Sequence, residues 1–390
     1  SVGLIKDRDK MLETEAFAQG AKVQYAIKIK QAVNIPVGTN GKLRDPDFCD
    51  NLIREGKVDF VMLARAVICD PYWPQKASEG RVNEIRPCIT CNDGCMGRVR
   101  RRHHVSCVLN PVAGREEQLS KPQKTDNPKK VAVIGGGIAG MQTAIAASQI
   151  GHKVTLLEKT DELGGQLNLA CVPPNKDQIK KARNWFADEL VRKGVEVKLN
   201  TSVDLRTIKA LNPDAVIAAS GAVPITKVPI EGTENAVISW DILRGDVPVP
   251  ENKNVVIIGG GIVACEAAEM MLEKNNKVTL IEMLPALATA LEDIHLTDML
   301  IKFKEHNVDI NVNSVAKKIT KNSVTFVKDD KEFTVNADMI VLSVGQRPEG
   351  TDLIKQLKEA GYKVEVIGDV KKPAKIIDAT LAGFYAGLDI

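Results

Sequence analysis

From Lys130 onward the apolar positions come in short runs, VAVI at 131–134 and VTLL at 154–157, each ended by glycine or a charge and followed by a longer stretch. Runs of that length beside glycine read as buried parallel strands, and the longer alanine-rich stretches as the helices that connect them. The same rhythm returns at VVII, 255–258, and VTLI, 278–281. Upstream it is weaker: the pattern predicts a helix over 21–32, a strand over 35–39, a helix over 45–55 and a strand over 59–64. Residues 88–127 have no such rhythm. They are rich in Cys, Arg and Pro and are expected to be irregular and organised by a ligand, ending in a linker over 117–129.

The segments VAVIGGGIAGMQTA, 131–144, and VVIIGGGIVACEAA, 255–268, are close copies 124 residues apart. That spacing is too long for a solenoid repeat and fits two related nucleotide-binding domains. In the first, Gly135, Gly137 and Gly140 follow the strand. They would allow the tight turn, the approach of a pyrophosphate to the backbone, and the packing of helix on strand, with free N–H groups facing the phosphates. The next strand ends in Glu158, placed for the ribose hydroxyls. Gly165 and Gln166 in the following loop add a further point of close backbone approach. The second copy places Gly259, Gly261 and Ala264 in the same roles, with Glu282 at the end of its second strand. A carboxylate there accepts bonds from a free 2′-hydroxyl and repels a 2′-phosphate, so NADH is expected over NADPH.

Cys88, Cys91, Cys95 and Cys107 have the spacing C-x2-C-x3-C-x11-C. Four thiolates suit a [4Fe–4S] cluster, whereas structural zinc more often takes two separate C-x2-C knuckles. Beside them Arg98–His104 reads as a solvated basic face, with an acidic-substrate contact or nucleic acid as sharper alternatives. No aromatic residue interleaves the arginines, so base stacking has no support and no nucleic-acid partner is expected. The net charge of +3 over 390 residues favours no charged partner. No apolar run reaches the roughly 18 residues of a spanning helix, so no membrane association is expected. Eight cysteines, half of them in one cluster, are unlike a secreted disulfide framework and fit a cytoplasmic location.

The order cysteine cluster, first fingerprint, second fingerprint resembles the iron–sulfur flavoenzymes of the 2,4-dienoyl-CoA reductase and enoate reductase group, in which an old-yellow-enzyme-like FMN barrel precedes a pyridine-nucleotide reductase module. Arg86-Pro-Cys-Ile-Thr-Cys-Asn-Asp-Gly-Cys and Cys107-Val-Leu-Asn-Pro111 resemble that family's cluster motif. Ile35-Pro-Val-Gly and Val61-Met-Leu-Ala-Arg65 resemble the last two strands of its barrel. A TIM barrel binds phosphate after its seventh and eighth strands, here at Gly41, Lys42, Ala64 and Arg65, and the resemblance implies the FMN phosphate there. Downstream, the segment with Gly221 resembles the crossing out of the FAD domain, and Met339–Pro348 the return. Gly368-Asp369 resembles the late FAD motif, implying that Asp369 bonds the ribityl chain.

The resemblance thus implies an α/β chain: the C-terminal remnant of a TIM barrel (1–87), a Cys-rich iron–sulfur segment with linker (88–127), and two nested Rossmann-like domains, FAD (128–230 and 349–390) and NAD (231–348). Only two barrel strands, with a third at 1–5, are recognised, and the chain opens on Ser, so it reads as N-terminally truncated. A further departure is that no His precedes His103, where dienoyl-CoA reductases carry one just after the sixth strand, near Ile5–Asp7. This leans toward relatives acting on other activated alkenes. The implied function is a relay from NADH to FAD, [4Fe–4S] and FMN that reduces a small activated alkene, in a chain that could form homo-oligomers. Alternatives are an amine oxidoreductase of the trimethylamine dehydrogenase type, or a fragment that only binds nucleotides. A thioredoxin-reductase type would need a close cysteine pair, and Cys171 and Cys265 stand alone.

Overall fold

The computed structural model describes residues 12–119 and 121–390; the strand expected at 1–5 and the position near Ile5–Asp7 lie outside them. The strand Lys130–Ile134 is the centre of a five-stranded parallel sheet in the order Val364–Val366, Ala215–Ala218, Lys130–Ile134, Lys153–Leu157, Glu196–Lys198. Val131 to Ile134 are all buried, as a sheet covered on both faces requires. The second sheet repeats the plan in the order Asp309–Asn311, Lys277–Ile281, Asn254–Ile258, Met339–Leu342, Val237–Ile238, again all parallel. An antiparallel three-stranded sheet, Ser314–Ile319, Ser323–Lys328 and Lys331–Asn336, is inserted between its strands Asp309–Asn311 and Met339–Leu342.

The two units are nested. The chain leaves the first along Ala222–Pro224 and returns along Gln346–Pro348, and these segments pair antiparallel. Val364–Val366 then completes the first sheet. The helix Ile138–Gln149, which follows the first glycine corner, is buried almost all round, because the last helix, Ile376–Leu388, packs on its outer side. Small residues permit the approach: a Cβ added at Gly383 would lie 2.3 Å from the Ala139 carbonyl oxygen.

The upstream part departs from expectation. The strands predicted at 35–39 and 59–64 shrink to Gly38–Thr39 and Phe60–Val61, paired in parallel. Ile35, Phe60 and Met62 are exposed, so these apolar side chains lack the neighbours that would extend the ladder. A single parallel pair among the described residues of 12–87 is compatible with a barrel and too small to define one. The predicted helices appear as Val23–Ala32 and Pro46–Arg54. The start of the expected linker is ordered as a short helix, Glu116–Leu119. No described helix is long and apolar enough to cross a membrane.

Substituting Gly383→Ala puts a methyl where a backbone oxygen sits and should destabilise the chain by about 1–3 kcal/mol through overpacking. An unchanged thermal midpoint would show that the two helices do not pack at this distance.

Candidate functional site

The two glycine corners face open space. A Cβ built on Gly137 or on Gly261 would meet nothing within 4 Å, and each glycine caps the helix behind it, Ile138–Gln149 or Ile262–Leu272. The backbone there is bare and the helix N-termini point outward, which is what a diphosphate needs. Gly140 and Ala264 lie inside those helices, and a Cβ on Gly140 would fall 1.9 Å from the Gly135 carbonyl oxygen.

Both strand-end glutamates are buried, not the solvated charges that such positions often carry. Glu158 Oε2 accepts the Gly136 N–H at 2.7 Å, and its Oε1 accepts the Thr160 N–H at 2.9 Å. Glu282 is held in the same way, Oε2 by the Gly260 N–H and Oε1 by the Leu284 N–H at 2.6 Å. Each carboxylate is therefore fixed beside its corner, with lone pairs left for a sugar hydroxyl. Gln166 donates to Asp369 Oδ2 at 2.7 Å, joining two segments 203 residues apart. Burial raises the Asp369 pKa above the usual carboxylate range, against the bonds from Ala374 and Gln166. Gly165 lies against Gly137, while Gly221 has open space around its α-carbon at the crossing segment.

Of these residues, Gln166 of the first unit and Gly261 and Ala264 of the second line one cavity of about 450 Å³, together with Cys91 of the cysteine segment, whereas Gly135, Gly137, Glu158, Glu282 and Asp369 are not on its wall. Two ion pairs border it that the sequence reading did not single out. Lys176 Nζ lies 3.0 Å from Glu266 Oε1. Burial disfavours the ammonium, but Glu266 and Glu269 outweigh it and raise the Lys176 pKa. Lys375 reaches Asp93 at 3.2 Å. Glu266 could have been noticed as the acid two residues after Ala264, but Lys176 is 90 residues away and carried no signal.

The four cysteines of the segment are free thiols, each half-buried, and Cys88, Cys91 and Cys107 pack against the core of the first unit. Gly94 makes their approach possible: a Cβ there would fall 2.9 Å from the Cys107 α-carbon. Burial pushes the Cys88 thiol up to about 11, with the Cys107 charge adding to it. Burial likewise raises Cys91, reinforced by Cys107, Cys88 and Cys95. Cys107 is held below the usual thiol range by the buried Cys69 thiol and the Leu109 and Asn110 amides. Among the described residues, no three Cys, His, Asp or Glu side chains converge on one metal ion.

Gly41, Lys42, Ala64 and Arg65 do share a cavity, of about 150 Å³, with Cys88 and Thr90 on its wall. The two cations are turned to the chain itself. Lys42 Nζ donates to the Glu15 carbonyl at 3.0 Å and pairs with its carboxylate at 3.1 Å. Arg65 pairs with Glu13 at 3.2 Å and donates to Asn92 Oδ1 at 2.7 Å.

Comparison with known proteins bears on this geometry. The model of the pyridine nucleotide-disulphide oxidoreductase family matches residues 112–210 and 204–372. An NADH oxidase of Thermoanaerobacter brockii is 44% identical over 100% of this chain and 61% of its own length. A cinnamate reductase of Clostridium sporogenes is 34% identical over 95% of the chain and 56% of its own length. The solved structure of a 2-naphthoyl-CoA reductase superposes with a TM-score of 0.91 at 28% identity, covering 97% of this chain and 57% of that one. The chain therefore spans about three-fifths of the length of the proteins it matches. The doubled fingerprint, the nested sheets and the family match agree: this chain belongs to the pyridine nucleotide-disulphide oxidoreductase family.

Proposed function

We propose that the chain is the NADH-oxidising, electron-entry part of a flavin- and iron–sulfur-dependent reductase. The observation that carries this is the shared cavity: the second glycine corner, the first unit's Gln166 and the cluster-segment Cys91 all line one space. A nucleotide held at Gly259–Ala264 and a flavin held at Gly135–Gly140 would bring their ring ends together there, beside the cysteines. When bound, FAD takes a hydride as a pair of electrons and releases them singly, and a four-iron cluster carries one at a time.

The chain's own residues supply binding, orientation and charge. Gly137 and Gly261 offer open backbone to the two diphosphates, and Glu158 and Glu282 hold the adenosine riboses. Lys176 and Glu266, paired at 3.0 Å, tie the first unit to the second at the cavity wall. Asp369 and Gln166 orient the flavin side chain. Four thiols spaced C-x2-C-x3-C-x11-C, three of them packed against the first unit, suit a cluster, in which each iron takes a single thiolate. Zinc would gather its thiolates onto one centre at about 2.3 Å.

For the FMN end, Gly41, Lys42, Ala64 and Arg65 surround a cavity, but Glu13 and Glu15 hold both cations. A phosphate does not fit as these residues stand, since it would have to displace carboxylates. The terminal acceptor belongs to the whole protein. Relatives named for cinnamate and 2-naphthoyl-CoA reduction favour a conjugated alkene or arene bearing a carboxyl group or its thioester.

The reading is tested by NADH-dependent dye reduction with the FAD-loaded chain. Turnover supports it, and its absence from a sample that retains flavin would leave only a binding module. NADH should give a higher kcat/KM than NADPH, and Glu282→Ala should narrow that ratio by roughly tenfold, the effect of about 1.4 kcal/mol of lost discrimination. A preference for NADPH in the unaltered chain would overturn the assignment of Glu282. Anaerobically reconstituted protein should hold four irons per chain, and Cys91→Ser should lower that content while NADH still bleaches the flavin. Zinc in place of iron would refute the cluster.

A further inference from the structure

Thr90 lies between two of the cluster cysteines and is almost wholly buried, yet its φ is +53°. A β-branched residue rarely adopts that conformation, and such strain persists only where the surroundings impose it. The surroundings here come from both flanking units. From the upstream part, Arg44 Nη1 donates to Thr90 Oγ1 at 2.8 Å while also holding Glu15 at 2.8 Å. From the second nucleotide-binding unit, the His295 Nε2 lies 3.0 Å from the Thr90 carbonyl oxygen, across 205 residues of sequence. A carbonyl only accepts, so Nε2 is the protonated nitrogen. Burial brings the His295 pKa down to about 4, so the ring is neutral and this is its one proton near neutral pH.

The consequence appears on the other side of Thr90. Its backbone N–H donates to the Cys88 sulfur at 3.4 Å. That N–H belongs to the Ile89–Thr90 peptide, and the grips on the Thr90 hydroxyl and carbonyl pin the residue to which this peptide is joined. Released, Thr90 could shift, and the peptide could turn and carry its N–H off the sulfur. Hydrogen bonds to ligand sulfurs are among the determinants of an iron–sulfur potential. They favour the reduced state, which carries the extra negative charge.

The helix bearing His295, Asp293–Glu305, is docked on the same face by further contacts. Asp298 Oδ2 accepts from Thr14 at 2.6 Å. Glu292 and Asp293, at its start, face Arg100 at 3.6 Å and Arg101 at 3.7 Å. His295 is therefore not a stray surface contact but a half-buried member of a docked helix end.

We infer that His295 is a positioning residue for the cysteine segment: from the nucleotide-binding unit it holds Thr90 so that the Thr90 N–H bonds Cys88, and it thereby raises the reduction potential of the cluster. The inference rests on the reading of Cys88, Cys91, Cys95 and Cys107 as cluster ligands.

The test is a redox titration of the reconstituted full chain, followed by electron paramagnetic resonance of the reduced cluster, for the unaltered protein, His295→Leu and His295→Gln. Leucine removes the donor and keeps apolar volume, while the glutamine amide can restore a donor near Nε2. At the unaltered protein's midpoint, His295→Leu should lower the reduced-to-oxidised ratio by roughly threefold to tenfold, tenfold being about 59 mV for one electron. His295→Gln should recover most of it. Loss of the cluster from the leucine variant with retention in the glutamine variant supports the same conclusion. An unshifted potential in His295→Leu with full iron content overturns it, as does equal damage in both variants, which would mark a packing role. An unaltered protein without iron would sink the underlying cluster reading instead, a distinct result.

Discussion

At Gly135 and Gly259 the chain leaves a buried strand and enters a helix within three residues, with backbone standing where a side chain would otherwise be. A Cβ on Gly135 would lie 2.3 Å from the Ala219 carbonyl oxygen, and one on Gly259 would lie 2.1 Å from that of Ser343. Their φ angles of +108° and +111° belong to glycine in any case. Ala219 and Ser343 follow the strands Ala215–Ala218 and Met339–Leu342 and stand just before the two crossing segments, Ala222–Pro224 and Gln346–Pro348. Corner and crossing are thus one packed structure. A side chain at either glycine would push away the crossing pair, and with it Pro224, Gly345 and Gln346 on the cavity wall. Nucleotide binding and inter-unit geometry depend on the same absent side chains.

The electrostatics follow from that compactness. Two ion pairs at the cavity cross the boundaries between segments. Lys176 of the first unit pairs with Glu266 of the second, and Asp93 of the cysteine segment pairs with Lys375 at the C-terminal helix. Removing one partner of such a half-buried pair leaves the other charge poorly solvated. The pairs therefore bear on the register between units more than on the stability of either. The strand-end glutamates are different. Each is bonded to an N–H of its own glycine loop, so each nucleotide corner keeps its carboxylate in place without help from the other unit.

Much of this was legible in the residue pattern, and the reason is locality. The strands at 130–157 and 254–281, their glycine corners and the paired glutamates lie within about thirty residues of one another, and hydrophobic period plus turn chemistry determine them. Glu158 and Glu282 were identified by position, although their burial was not, because the N–H bonds that bury them close only when the loop folds back. The upstream strands are shorter than the apolar residues at 35–39 and 59–64 predict, because a ladder also needs neighbours. The pairs Lys176–Glu266 and His295–Thr90 could not be read at all. They join residues 90 and 205 positions apart, and no local rule carries that far.

The cysteine segment shows the same limit from the other side. Its ligand spacing is visible in the sequence, yet the segment has little apolar content with which to build a core. It is instead held by its neighbours. Trp185 of the first unit donates to the Glu84 carbonyl at 2.9 Å, and Arg86 stacks over its ring at 4.6 Å. Ser106 returns to Gly94 at 2.8 Å, and Lys375, Arg44 and His295 grip Asp93 and Thr90 from three directions. A loop supported in this way takes its shape from the assembled units and not from its own sequence. Spacing can therefore name the four thiols, whereas their geometry, and the properties of whatever they bind, are set by residues in every other part of the chain.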